Sequence, residues 1–162
     1  MRYLLAAALA ARPSVASAES RLRPPRGISA DVAAARHLFE ANLDAIRRHD
    51  RAGYLACYLD SPRFALTGPT GFTLGYDSLA ASAGSGWPDH FEALDLELTP
   101  LAPGRVYGTY RYRVRYGAGE QTGLSERWFV ETPGGWKIEV STHSPREDPL
   151  EDDAPSRWRP RA

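Results

Sequence analysis

Glu126 and Arg127 stand side by side in the run Ser125-Glu126-Arg127-Trp128-Phe129-Val130, and His143 closes the last alternating segment, Ser141-Thr142-His143-Ser144. A strand sends successive side chains to opposite faces. One of the two charges therefore faces water, and the other points inward, where it needs a partner. Glu126 is the preferred catalytic acid/base if the domain performs chemistry. His143, with an ordinary pKa near neutrality, is the second candidate, as a general base or a ligand anchor. Around them stand polar and aromatic side chains able to line a pocket: Asn42 on the edge of an apolar helical stripe, Tyr58, Thr67 just before a turn, Tyr112 and Trp128. His37, His49 and His90 are scattered without metal-ligand spacing, so no metal site is expected, and no motif calls for a cofactor. Cys57 is the only cysteine, which excludes an internal disulfide; its setting, Tyr54-Leu55-Ala56-Cys57-Tyr58-Leu59, reads as a buried small hydrophobe.

The elements that must position these groups follow from periodicity. Val32, Ala35, Phe39, Leu43 and Ile46 recur at helical spacing after Ser29, an expected N-cap, with Asp31 in the first turn. Arg47, Arg48 and His49 end that helix, and Asp50 caps a shorter one over Arg51 to Tyr58. Arg63 to Thr67 and Phe72 to Leu74 read as a short strand pair around Gly68-Pro69-Thr70-Gly71, and a third helix spans about Asp77 to Ala83. The rest is sheet. Leu94, Leu96 and Leu98 alternate with Asp95, Glu97 and Thr99. Arg105 to Tyr116 alternates strongly, with Val106, Gly108, Tyr110, Tyr112, Val114 and Tyr116 on a packed face and Arg111, Arg113 and Arg115 on a wet one. A last hairpin, Gln121 to Glu131 and Trp136 to Thr142, turns at Pro133-Gly134-Gly135; Trp128, Val130, Trp136, Ile138 and Val140 are expected on its inner face.

The chain has 162 residues, of which 43% are apolar and 25% charged, with twenty basic residues balancing twenty acidic ones. That is one domain with a real core and no basic field, which argues against nucleic-acid or anionic-lipid partners. Residues 1–18 read as an export signal: Arg2, the apolar run Tyr3 to Ala11, and the small-x-small site Ala16-Ser17-Ala18. The apolar run is too short to span a bilayer, so no membrane association is expected after cleavage, and the protein is expected to be periplasmic or secreted. Residues 19–28 read as a linker, 29–145 as the domain and 146–162, charged and punctuated by Pro149, Pro155 and Pro160, as a disordered tail.

The order helix, short helix, short strand pair, third helix and long antiparallel strands resembles the nuclear-transport-factor-2-like superfamily, the SnoaL-like and ketosteroid-isomerase-like cone. Three pieces carry the resemblance: the helix junction RRHDRAGYLACYLDSPRFAL, the Leu74-Gly75-Tyr76-Asp77 opening of the third helix, and Gly134-Gly135-Trp136-Lys137-Ile138 with Ser144 eight residues beyond the Trp. Many members end the last strand in His-x-Ser; here Thr142 holds the His position and His143 stands one place later. The resemblance implies an α+β fold: a cone-shaped, curved antiparallel sheet wrapped around a long N-terminal helix with two shorter helices, and a pocket at the open end. The ketosteroid-isomerase chemistry it brings to mind needs a carboxylate near the first strand and an oxyanion hole containing a Tyr. Arg63 to Phe72 contains no Asp or Glu, and Asn42 occupies the place of the Tyr.

Three functional readings stand side by side. The first is an exported domain with a pocket for a small, mostly apolar or aromatic molecule, lined by some of Asn42, Tyr58, Thr67, Tyr112 and Trp128. The second is a SnoaL-like enzyme of isomerase, cyclase or dehydratase type using Glu126 or His143. The third is an assembly module, a homodimer formed through the outer face of the sheet, where Asp95 and Glu97 could neutralise the arginines.

Overall fold

A computed structural model describes residues 27–69 and 71–146. The expected signal segment, most of the linker and nearly all of the tail lie outside these residues. Helix α1 (Ile28–Arg47) comes first, followed by α2 (Arg51–Ala56), the strand pair β1 (Ala65–Gly68) and β2 (Gly71–Leu74), and helix α3 (Tyr76–Ser82). Four long strands complete the domain: β3 (His90–Ala102), β4 (Arg105–Tyr116), β5 (Gly119–Thr132) and β6 (Gly135–Arg146). The sheet order is β2-β1-β6-β5-β4-β3. It is mixed rather than wholly antiparallel, because β1 runs parallel to β6.

The apolar stripe of α1 does what its spacing requires. Ala35, Phe39, Leu43 and Ile46 are buried against the concave face of the sheet. The start of the helix departs from expectation. Gly27, not Ser29, occupies the cap and makes no side-chain cap bond. Asp31 is buried and accepts from the Gly104 N–H in the β3–β4 turn at 2.9 Å, so it ties the helix to the sheet. Asp50 caps α2 as expected, accepting from Gly53 N–H at 2.9 Å. After α2 the chain pairs with β6: Ile138 N–H donates to Cys57 O, and Leu59 N–H to Ile138 O, both at 2.9 Å. Cys57 is buried, and burial raises its thiol pKa, as befits a small core residue.

Registers decide which side chains meet inside the cone. On β4 the expected alternation holds: Val106, Gly108, Tyr110, Tyr112 and Val114 are buried. Tyr116 is exposed instead, past the edge of the core. On β3 the expected single face of Leu94, Leu96 and Leu98 is broken. A bulge between Leu94 and Glu97, with Asp95 at φ 55°, puts Leu94 opposite Arg111 while Leu98 lies opposite Gly108. On β5 the inner residues are Gly123, Ser125, Arg127 and Phe129, opposite Tyr112, Tyr110, Gly108 and Val106 of β4. This is one residue out of phase with the expectation and sends Trp128 outward. Ile138 is inward, opposite Phe129, while Val140 lies opposite Trp128 on the outer face. The extra residue at the β5–β6 bulge is Glu139, which meets Arg105 at 3.3 Å and Arg63 at 3.6 Å.

Candidate functional site

The centre of the cone holds a guanidinium. Arg127 is 1% exposed, and its Nη1 donates to Asn42 Oδ1 while Nη2 donates to Tyr110 Oη at 2.8 Å. The rings of Phe39 and Tyr110 cover it, with Cζ at 5.6 and 5.4 Å from their centroids. Each element supplies its part for a local reason. Asn42 follows Phe39 by three residues and so shares the buried stripe of α1. Tyr110 faces inward with the other apolar residues of β4, and Arg127 lies opposite Gly108, over which the Phe129 ring and Leu98 pack. Cation–π contact with a desolvated guanidinium contributes about 2 kcal/mol. Burying a charge costs several kcal/mol per ion, and among the described residues no carboxylate forms an ion pair with Arg127.

Hydrogen bonding around this charge is incomplete. Arg127 Nε, Asn42 Nδ2 and Ser141 Oγ are buried without an acceptor in hydrogen-bond geometry. Ser141 lies directly opposite Arg127 on β6. The Asn42 amide lies within side-chain hydrogen-bonding reach of the Cys57 thiol and the Tyr58 hydroxyl and lowers both pKa values against the larger effect of burial, but neither is an acceptor in good geometry for its Nδ2. All three orphaned atoms carry hydrogens able to donate. Tyr58 is buried, its ring in contact with Tyr54 and Phe64 at 4.8 and 5.3 Å between centroids; burial pushes its hydroxyl pKa up, so it stays neutral. Towards the start of β3 and the end of β6 the side chains become partly exposed. Tyr54 meets Trp87 there, and His143 meets the edge of Tyr112 at 6.0 Å. Burial, then the Arg127 charge, lower the His143 pKa to about 4 against a hydrogen bond with the Thr67 main chain, so the imidazole is neutral at pH 7.

The interior therefore gathers Asn42, Tyr58, Tyr112 and His143 from the expected set, and it excludes three others. Trp128 is 44% exposed on the outer face. Glu126 is also outside, accepting from Tyr107 Oη and from Thr142 Oγ1, the latter at 3.2 Å. The Thr67 side chain is exposed and pairs in register with Thr142 and Phe72 on that face; only its main chain reaches His143. The phase of β5 is the common cause for Trp128 and Glu126. Sequence reasoning left Arg127 as one of two candidates for the inward charge while preferring Glu126 for chemistry, placed Tyr110 on a packed face, and gave Ser141 no role. Two of the three outer arginines are paired within the chain: Arg111 with Asp95, and Arg113 with Glu92 at 3.4 Å. A separate cavity of ≈ 280 Å³ lies between the segment after α2 and the start of α3, lined by Asp60, Pro62, Leu74, Tyr76 and Asp77 among others. None of the expected site residues borders it.

No family model matches the chain, and no curated protein matches it by sequence. Solved structures do. A Salmonella enterica protein of the nuclear transport factor 2 superfamily aligns with a TM-score of 0.64 at 15% identity, over 79% of this chain and 100% of its own. The chain has the nuclear-transport-factor-2-like fold. A nuclear-transport-factor-2-like protein of unknown function from Shewanella oneidensis matches at TM-score 0.61 and 17% identity, over 71% of this chain and 97% of its own. A Streptomyces avermitilis member, provisionally named a dehydratase, matches at 0.64 and 14%, over 75% and 100%. At these identities the likeness concerns the nuclear-transport-factor-2-like fold, which hosts many activities.

Proposed function

We propose that this is an exported domain that holds a small, mostly apolar molecule inside the cone, between α1 and the concave face of the sheet. The observation that carries the reading is the aromatic interior around Asn42, Tyr58, Tyr110 and Arg127, whose hydrogen-bonding capacity is not filled by the protein itself. Ligand sites combine apolar walls with a few placed polar groups. Asn42, Tyr58, Tyr110 and Arg127 are buried while Tyr54, Trp87 and His143 are partly exposed, and on this reading a ligand enters past those three. Of the two acid–base candidates, only His143 reaches this interior. Protein purified from its own host should release a bound small molecule on denaturation, detected by mass spectrometry; none released, and no thermal shift with any small organic probe, would reject the reading. Export is supported by the Arg2, apolar-run and Ala16-Ser17-Ala18 pattern. It predicts a mature N-terminus at Glu19, and an intact Met1 on cytoplasmic protein would contradict it.

A second reading, pairing of two copies through the outer face, has its own observation. The registers align Leu74, Ala65, Val140, Trp128 and Tyr107 across five strands, beside exposed Phe72. Because Arg111 and Arg113 are neutralised within the chain, such a contact is apolar at its centre, not a bridge from the arginines to Asp95 and Glu97 of the other copy. A dimeric mass by light scattering that becomes monomeric in Trp128→Glu is expected; a wild-type monomer at high concentration would refute it.

A further inference from the structure

We infer that the interior of the cone is an anion site, taking a small monocarboxylate with an apolar or aromatic body, with Arg127 as its counter-ion. This rests on the pocket reading and specifies the class of molecule. Three observations converge. The guanidinium is buried and meets only neutral acceptors, Asn42 Oδ1 and Tyr110 Oη. The three unpartnered atoms, Arg127 Nε, Asn42 Nδ2 and Ser141 Oγ, are all able to donate. What is missing is an acceptor, and the missing charge is negative. A structural arginine in such a place would be expected to have a carboxylate beside it, or to be replaced by an apolar side chain of similar volume without loss. Asn42 cannot relieve the mismatch by turning its amide over, because its Oδ1 already accepts from Nη1 and the reversed amide would set donor against donor.

The chemistry narrows the anion. A planar guanidinium matches the two oxygens of a carboxylate. One cation in a buried site neutralises one negative charge; a doubly charged phosphate would leave a second charge uncompensated among Phe39, Tyr58 and Phe64. Those same rings suit an aromatic or aliphatic body behind the carboxylate. His143, held neutral, adds no second positive charge to the site at neutral pH.

The test compares acids with their uncharged isosteres on the full domain: benzoate, phenylacetate and hexanoate against benzamide, phenylacetamide and hexanamide, by isothermal titration and thermal shift in a buffer free of other carboxylates. At least one acid should bind wild type about tenfold or more tighter than its amide, the scale of a charge-assisted hydrogen bond. Arg127→Met should fold with a melting temperature at or above wild type and lose the preference for the acid. If the Met variant does not fold, Arg127→Lys replaces it, with weaker acid binding expected because the fork is lost. Equal binding of acids and amides by wild type overturns the anion inference and leaves the pocket standing. Binding of neither class overturns both. An acid preference that survives intact in Arg127→Met overturns the assignment of Arg127.

Discussion

Phe129 and Trp128 are neighbours in sequence, and the fold assigns them opposite fates, so a pair of alanine substitutions measures the phase of β5 directly. Phe129 is 1% exposed, opposite Val106 on one side and Ile138 on the other. Its truncation removes a full aromatic side chain from a packed core and should cost about 3 to 5 kcal/mol. Trp128, although larger, lies outside, and Trp128→Ala measured on the monomer should cost under about 1 kcal/mol. A third substitution sharpens the test. A Cβ on Gly108 would come within 2.9 Å of both Phe129 Cε2 and Leu98 Cδ2. Gly108→Ala should therefore cost about 1 to 3 kcal/mol through overpacking. In the Phe129→Ala background the added methyl enters the vacated space, so its cost should fall, giving a coupling of about 0.5 kcal/mol or more. Urea unfolding followed by circular dichroism supplies each value from the midpoint and the slope. A larger loss for Trp128→Ala than for Phe129→Ala, or strict additivity of Gly108→Ala with Phe129→Ala, would mean that the inner face of β5 is Trp128 and Val130, and that Arg127 faces water.

His143 should make stability depend on pH. Its folded pKa, about 4, lies below the ordinary 6.5, so the unfolded chain binds the extra proton between those values and stability rises with pH there. Relative to His143→Gln, wild type should lose on the order of 3 kcal/mol between pH 6.5 and pH 4, with the full contribution present above pH 6.5; parallel pH profiles of the two proteins would refute the burial of the imidazole. Asp50→Ala removes the acceptor for Gly53 N–H at the start of α2 and should cost about 1 kcal/mol by thermal unfolding, with Asp50→Asn nearly neutral. An Asp50→Asn loss as large as that of Asp50→Ala would point instead to the carboxylate's charge.

The parts of the cone that could be read from sequence are those where residue types separate cleanly by face. On β4 every inner position is apolar, aromatic or glycine, and Arg111, Arg113 and Arg115 alternate with them, so the phase is unambiguous. The α1 stripe and the Asp50 cap are equally plain. On β5 the run Glu126-Arg127-Trp128-Phe129-Val130 places two charges and then three apolar residues in succession, and a hydrophobicity argument prefers Trp128 and Val130 inside. Size carries the information that polarity lacks. The inner residues of β4 are small at Val106 and Gly108 and large at Tyr110 and Tyr112, and the strand opposite them runs large to small, Phe129, Arg127, Ser125, Gly123. Gly123 is where it is because a side chain there would meet the Tyr112 hydroxyl and the Ser144 carbonyl. Read by volume, the only phase that lets two tyrosines close over the sheet puts Ser125 and Gly123 beneath them, and that phase obliges Arg127 to enter the core. The charge is thus carried inward by the packing of its neighbours, and its missing partner marks a place in the interior where local consistency gives way, which is where function is to be sought.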